Sequence, residues 1–210
     1  TAESLILGLA RGDLDWREQF RDEDLENMRV IAGKCRSLPL KTVPGTDTRP
    51  TTDRVKETLF NMLQPYLPDC RFLDLFGGSG AIGIEALSRG AAFCCFVEQN
   101  RRAAACIREN LQFTRLSESA LLLVADARQA VEQLRSEEPF DVVFMDPPYY
   151  KNMFIEAIEK IDNSNLLNED GIIVVEHDTN DLFPDKICKL EKTRDKKYGN
   201  TTLTFYKMEA

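Results

Sequence analysis

The sequence predicts an α/β protein built on a doubly wound, mostly parallel open sheet, closed by a C-terminal antiparallel hairpin and preceded by a small N-terminal β-hairpin. Three observations carry that prediction. Between residues 71 and 176, five short apolar runs alternate with amphipathic helical stretches, the pattern of βαβ units. A glycine-rich turn, Phe76-Gly77-Gly78-Ser79-Gly80, comes after the first run. Two extended stretches, 187–194 and 201–207, flank Tyr198-Gly199-Asn200, a turn signal for an antiparallel pair.

Residues 1–27 hold Leu5, Ile6, Leu9 and Leu14 but little else to bury among many acids, and read as an acidic extension, natural or added to the natural chain. Residues 28–50 read as the N-terminal hairpin and loop, with two short strands within 29–42 around Gly33 and a loop carrying Pro44, Gly45 and Pro50. The main domain spans 51–210. Thr51 or Thr52 can cap a first helix whose apolar stripe is Val55, Leu59, Met62, Leu63 and Tyr66, ended by Pro65 and Pro68. Strands are expected at 71–76, 93–98, 120–125, 140–145 and 171–176. Helices are expected at 81–89, 101–113, 128–134 and 151–161.

Length and composition suit one domain with a small appendage: 210 residues, 43% hydrophobic and 30% charged. No apolar run is long enough to span a membrane, and the first twenty residues, with Glu3, Asp13, Asp15 and Glu18, do not read as a secretory signal. The six cysteines form no C-x-x-C pair and the single histidine, His177, has no ligand partner nearby in sequence. Free thiols in a reducing cytoplasm and no metal site are expected. The net charge of −8 hides a pattern: residues 1–28 balance to −5, whereas 29–56 balance to +5. A second basic cluster comprises Lys186, Lys189, Lys192, Arg194, Lys196 and Lys197. Local patches of this kind, rather than the overall charge, decide whether phosphates dock.

In open α/β sheets, ligands sit beyond the carboxyl ends of the strands. Four such ends carry chemistry. After the first strand stands Asp74-Leu75-Phe76-Gly77-Gly78-Ser79-Gly80, in which Gly78-x-Gly80-x-x-Gly83 fits a nucleotide-containing cofactor, with NAD or FAD as rivals to S-adenosylmethionine. After the second stands Glu98, placed to accept from ribose hydroxyls. After the third stands Asp126-Ala127, where the acid can accept from an adenine amino group or simply cap the next helix. After the fourth stands Asp146-Pro147-Pro148-Tyr149. Two prolines stiffen the backbone and remove two amide donors. The result is a corner rich in acceptors beside an aromatic ring, suited to a planar base with an exocyclic amine.

On these residues the chain resembles class I S-adenosylmethionine-dependent methyltransferases that modify exocyclic amines. It resembles in particular the bacterial 16S ribosomal RNA (guanine-N2)-methyltransferase family of the RsmD type. The resemblance covers about residues 28–207 and rests on Arg49-Pro50-Thr51-Thr52-Asp53-Arg54-Val55-Lys56-Glu57, Asp74 to Gly80, and Glu85-Ala86-Leu87-Ser88-Arg89-Gly90-Ala91. Arg29 to Gly33 and Lys197-Tyr198-Gly199 are similar too. One departure is Gly77, where the family usually has alanine.

The resemblance implies a Rossmann-like methyltransferase domain, S-adenosylmethionine as cofactor, and 16S ribosomal RNA or the small ribosomal subunit as partner of a cytoplasmic monomer. It implies that Asp146 and the Pro147 carbonyl accept from the guanine N2 amine while Tyr149 stacks on the base. Asp74, Phe76, Gly77, Gly78, Ser79, Gly80, Glu98, Asp126, Ala127 and Asp146 would hold the cofactor. Arg49, Thr51, Asp53, Pro148 and Tyr149 would hold the target base, and Lys34, Arg36 and Lys41 the RNA phosphates. The rival readings are an amino-methyltransferase acting on another base in RNA or DNA, an NAD-dependent oxidoreductase, and a non-catalytic RNA-binding protein. The first lacks room for a separate DNA-recognition domain, and the second leaves the diproline unexplained.

Overall fold

Strand pairing in the computed structural model, which describes residues 28–43, 53–146 and 151–209, gathers the apolar runs into one eight-stranded sheet. The strands are β1 (Arg71–Asp74), β2 (Phe93–Val97), β3 (Ala120–Leu123), β4 (Phe140–Met145), β5 (Leu167–Asp178), β6 (Lys186–Ile187), β7 (Leu190–Tyr198) and β8 (Thr201–Met208), in the order β3-β2-β1-β4-β5-β8-β7-β6. β1 to β5 are parallel, and β8, β7 and β6 extend the sheet antiparallel. The helices are α1 (Asp53–Leu63), α2 (Ala81–Ser88), α3 (Arg101–Thr114), α4 (Ala127–Gln133) and α5 (Lys151–Asn163). Strand order reverses between β1 and β4, the place where an open sheet leaves a crevice.

Successive strand side chains point to opposite faces, and both faces are covered. Phe72, Cys94, Phe96, Phe144, Val174 and Phe205 pack with residues of α1, α2 and α3 and with Val30, Cys35 and Leu40. Leu73, Cys95, Val97, Met145, Val175 and Tyr206 pack with residues of α4 and α5. Five of the six free cysteines are buried. Burial pushes the thiols of Cys70 and Cys95 up to about 12, so they serve as small core side chains.

Three elements differ from the expectations. The 29–42 segment doubles back through Val30 N to Leu38 O and Leu40 N to Met28 O, each 2.9 Å, but its ladder is one bridge, Arg29 to Pro39. Pro39 has no amide hydrogen to extend it. β5 starts at Leu167, before the polar Asn168-Glu169-Asp170, and the irregularity lies where its pairing jumps from Phe140–Leu167 to Val142–Ile172. The 187–194 stretch is two strands, because Cys188 turns the chain with φ +50° between β6 and β7. Residues 1–27, 44–52 and 147–150 lie outside the described residues, and with them the helix-capping threonines and the N-terminal extension.

The N-terminal segment is fastened to α2 by a buried carboxylate. Glu85 accepts from the amides of Ile31 at 2.9 Å and Ala32 at 3.0 Å. It also pairs with Arg89 at 2.8 Å and Lys56 at 3.6 Å, and it is fully buried. Lys56 donates in turn to the Arg29 carbonyl. Burial pulls the Lys56 ammonium below its usual range, with Glu85 pulling the other way. Further along α2, Ser88 donates to the Ala32 carbonyl and receives the Cys35 amide. Removing one partner of such a pair leaves buried charge uncompensated, so Glu85→Ala is expected to cost about 3–5 kcal/mol. Urea unfolding measures it, and an unchanged midpoint would refute the role of this carboxylate.

Candidate active site

The crevice is assembled from the segments immediately after β1, β2, β3 and β4. β1 ends in Asp74, 1% exposed, whose Oδ2 receives the Gly83 amide at 3.3 Å. Its other oxygen, Oδ1, is buried with no hydrogen-bond partner. The turn then folds on itself: Gly77 N donates to Val97 O at 2.9 Å and Gly80 N to Gly77 O at 2.7 Å. Gly78 and Gly80 take φ of +55° and +84°, a conformation open to glycine and strained for other residues. A Cβ on Gly78 would meet nothing within 4 Å, so this backbone faces open space. Gly83 has a different reason: a Cβ there would lie 2.2 Å from the Phe96 ring, so α2 packs directly on β2.

Glu98, just beyond β2, holds the turn from the other side. Its Oε2 accepts from Gly78 N and its Oε1 from Asn100 N, each at 2.8 Å. Both oxygens keep a second lone pair for a ligand. Asp126 caps α4 by accepting from Arg128 N at 3.0 Å, as its capping alternative anticipated. Although partial burial acts against it, the hydrogen bonds and charge of Arg128 hold this carboxyl below its usual range. Ala127 is buried beneath it and Phe76 is half-buried.

Asp146 lies just beyond β4. Since Asp74 pairs with Phe144 across β1 and β4, Asp146 projects on the same face as Asp74, two residues further along. Burial pushes Asp74 up to about 7, with the charges of Asp146 and Glu98 adding to the rise. Desolvation of its carboxyl pushes Asp146 up to about 6. Asp74 and Asp146 thus bring raised proton affinity to the crevice, where acceptors are in excess.

The remaining expected site residues are dispersed. Asp53 opens α1 and pairs with Arg29 at 3.1 Å. Lys41 pairs with Glu109 at 2.6 Å, on the surface beside α3. Lys34 and Arg36 are exposed at the far end of α2, where Lys34 N meets Ser88 O, and form no ion pair among the described residues. Arg49, Thr51, Pro147, Pro148 and Tyr149 lie outside the described residues. No cluster of metal-ligating side chains occurs among the described residues, and no helix of theirs is long and apolar enough to cross a membrane.

Two positioning residues are not evident from the sequence pattern. Glu85 stands in a run that carries the family resemblance and is an acid inside an otherwise apolar helix, Ala81–Ser88, but neither fact announces its partners. Asn110, 1% exposed, reaches the Ser79 carbonyl at 2.8 Å and the Lys41 carbonyl at 3.0 Å, tying the glycine turn to the N-terminal segment. Nothing in its local sequence distinguishes it from a surface asparagine of α3.

Residues 28–207 match the family described as Conserved hypothetical protein 95. The chain belongs to this family. It is 43% identical over 181 residues to "Putative rRNA methyltransferase YlbH" of Bacillus subtilis, covering 86% of this chain and 98% of the relative. It is 35% identical over 185 residues to "Ribosomal RNA small subunit methyltransferase D" of Escherichia coli, covering 87% and 91%. Among solved structures, "Putative methyltransferase yhhF from Escherichia coli" superposes with a TM-score of 0.77 at 33% identity, covering 87% of this chain and 98% of that one. The fold is therefore that of an RsmD-type, Rossmann-like methyltransferase. Gly77 needs no glycine-only conformation: a Cβ there would press 2.8 Å from the Ile107 Cδ1, the free end of a side chain that can rotate, so alanine is admissible.

The raised affinity of Asp74 for a proton has a sign that can be tested. An unfolded chain ionises this carboxyl near 3.8, whereas the folded one retains its proton up to about 7. Between those values the folded state binds more protons, so Asp74 makes the protein less stable as pH rises from about 4 to about 7. Asp74→Asn is expected to flatten that part of the stability–pH curve, measured by thermal unfolding across the range. A slope identical to that of the parent would exclude the effect.

Proposed function

We propose that this protein transfers the methyl group of S-adenosylmethionine to the exocyclic N2 amine of a guanine in 16S ribosomal RNA. The observation that carries the reading is the pairing of an acceptor-only corner, opened by Asp146, with a glycine turn whose backbone faces open space. The names of the relatives in Bacillus subtilis and Escherichia coli support it.

The residues present fit the cofactor. The unpartnered Asp74 Oδ1 is a buried acceptor at the foot of the crevice, suited to the cationic amino-acid end. Glu98 has lone pairs for ribose hydroxyls, and the Asp126 oxygen that does not cap α4 is available to the adenine amine. Phe76, Gly77, Gly78, Ser79 and Gly80 form the cradle, with Ala127 closing its floor. When bound, the cofactor supplies an electrophilic methyl group on a sulfonium.

The chain's own residues do the rest. The guanine amine is a weak nucleophile because its lone pair is spread into the ring. Asp146 accepts one N–H and the Pro147 carbonyl the other, drawing the nitrogen toward tetrahedral geometry and stabilising the positive charge that grows on it. Tyr149 stacks on the base, worth about 1–3 kcal/mol, while Pro148 keeps the corner stiff. Arg49, Thr51 and Asp53 border the target base. Lys34, Arg36 and Lys41 meet phosphates, with Lys34 and Arg36 reaching RNA remote from the target. The base leaves its stack to enter, which is cheapest in a loop.

Asp146→Ala is expected to lower turnover by about 10²–10³ while S-adenosylhomocysteine binding stays within a few-fold. Labelled-methyl transfer to unmodified small-subunit RNA, with mass-spectrometric mapping of methylguanosine, measures the first and calorimetry the second. Unimpaired turnover in the variant, or methyl groups on an atom other than N2, would overturn the reading. Stabilisation by NAD but not by S-adenosylhomocysteine would favour the oxidoreductase instead.

A further inference from the structure

We infer that the β7 side chains Arg194, Lys196 and Tyr198 form a docking strip for the RNA strand that flanks the target base. The inference rests on the RNA-methylating reading and extends it to residues for which that reading has no use. Directly opposed residues of paired strands share a face. The register therefore aligns Asp74, Phe144, Val174, Phe205 and Arg194 in one row across β1, β4, β5, β8 and β7. The next row on the same face runs from Asp146, just past β4, through Glu176 and Leu203 to Lys196. Tyr198 stands one row further, at the crevice end of the sheet. The register thus puts Lys196, Arg194 and Tyr198 on the same face as the acceptor corner, at the sheet edge beyond Glu176 and the buried Leu203 and Phe205.

Charge pairing differs from residue to residue along the hairpin, and Lys197, on the face opposite Lys196, also forms no ion pair among the described residues. On the opposite face, Lys192 is neutralised by Asp185 at 2.8 Å and by Asp195 at 3.5 Å. Arg194, Lys196 and Lys207, on the crevice face, have no carboxylate partner among the described residues. Two of them lie on rings instead: Lys196 Nζ is 5.6 Å from the Tyr198 ring centroid and Lys207 Nζ is 5.4 Å from that of Tyr66. Arg194 is exposed, and Lys196, Lys207, Tyr66 and Tyr198 are half-buried. Arg194 and Lys196 are two residues apart on one strand, about 6.8 Å, a spacing comparable to the phosphate step of an extended strand. Cations without carboxylate partners beside half-buried aromatic rings offer a single nucleic-acid strand sites for its phosphates and, once the lysines move onto those phosphates, ring surface for its bases.

The test uses the full chain with Arg194 and Lys196 both changed to glutamine, beside Lys189→Gln, an exposed lysine at the opposite end of the hairpin. The probe is a fluorescein-labelled RNA hairpin carrying a guanine-containing loop, read by anisotropy from low to moderate salt. Losing two phosphate contacts to a single strand is expected to make the log–log salt slope shallower by about 1.4. The Kd should rise about tenfold, with thermal stability and S-adenosylhomocysteine binding unchanged, and Lys189→Gln should match the parent. If the pair of substitutions impairs folding, Lys196→Gln alone is expected to show half the change in slope. An unaltered Kd and slope, with methyl transfer intact in the parent, would overturn the docking strip alone. A parent that neither binds nor methylates RNA would overturn the functional reading, and this inference with it.

Discussion

The Glu85 carboxylate is the contact on which the rest of the architecture depends. It sits in the middle of α2, whose first turn begins at the glycine loop, and it gathers two backbone amides of the N-terminal segment, the Arg89 guanidinium and the Lys56 ammonium. Three pieces of chain distant in sequence meet at two oxygen atoms: residues 29–32, α1 and α2. A buried ion pair contributes modestly to net stability, because desolvation offsets much of the attraction. Its directional hydrogen bonds nonetheless fix where the segments lie. Asn110 repeats the device nearer the crevice, joining Lys41, α3 and Ser79.

The crevice is governed by the opposite arrangement, charges of one sign kept close together. Asp74, Glu98 and Asp146 converge from neighbouring strand ends, and burial together with mutual repulsion raises the proton affinity of Asp74. Such an environment favours ligands that bring positive charge or N–H donors, and disfavours anions. The phosphate-binding surfaces we propose accordingly lie elsewhere, on Lys34 and Arg36 at the far end of α2 and on β7. Separation of the cationic surfaces from the anionic crevice allows one protein of net charge −8 to handle a polyanion.

Most of the parallel sheet was legible in the sequence, because fully covered strands must be apolar throughout: Phe93-Cys94-Cys95-Phe96-Val97 can hardly be anything else. The strand-end acids Asp74, Glu98 and Asp146 came with the strands. Less legible were features set by contacts distant in sequence. Polar residues 168–170 concealed the start of β5, and the turn at Cys188 divided an apparently continuous strand. The apolar stripe of α1 gave no hint that Lys56 points inward, since only the Glu85 carboxylate from another helix makes its burial tolerable. Likewise the cysteines were recognisable as core thiols from their apolar surroundings, whereas the neutralised and unpaired lysines of β7 became distinguishable only once the fold brought Asp185 beside Lys192.

The strand order has a consequence for how the molecule is made. β8 comes last among the strands yet lies inside the sheet, between β5 and β7. While a nascent chain is still emerging, β5 presents a bare hydrogen-bonding edge and β7 has nowhere to dock. Completion of the sheet therefore waits for residues 201–208 to leave the ribosomal tunnel, so a chain stalled short of them remains open and vulnerable to proteases.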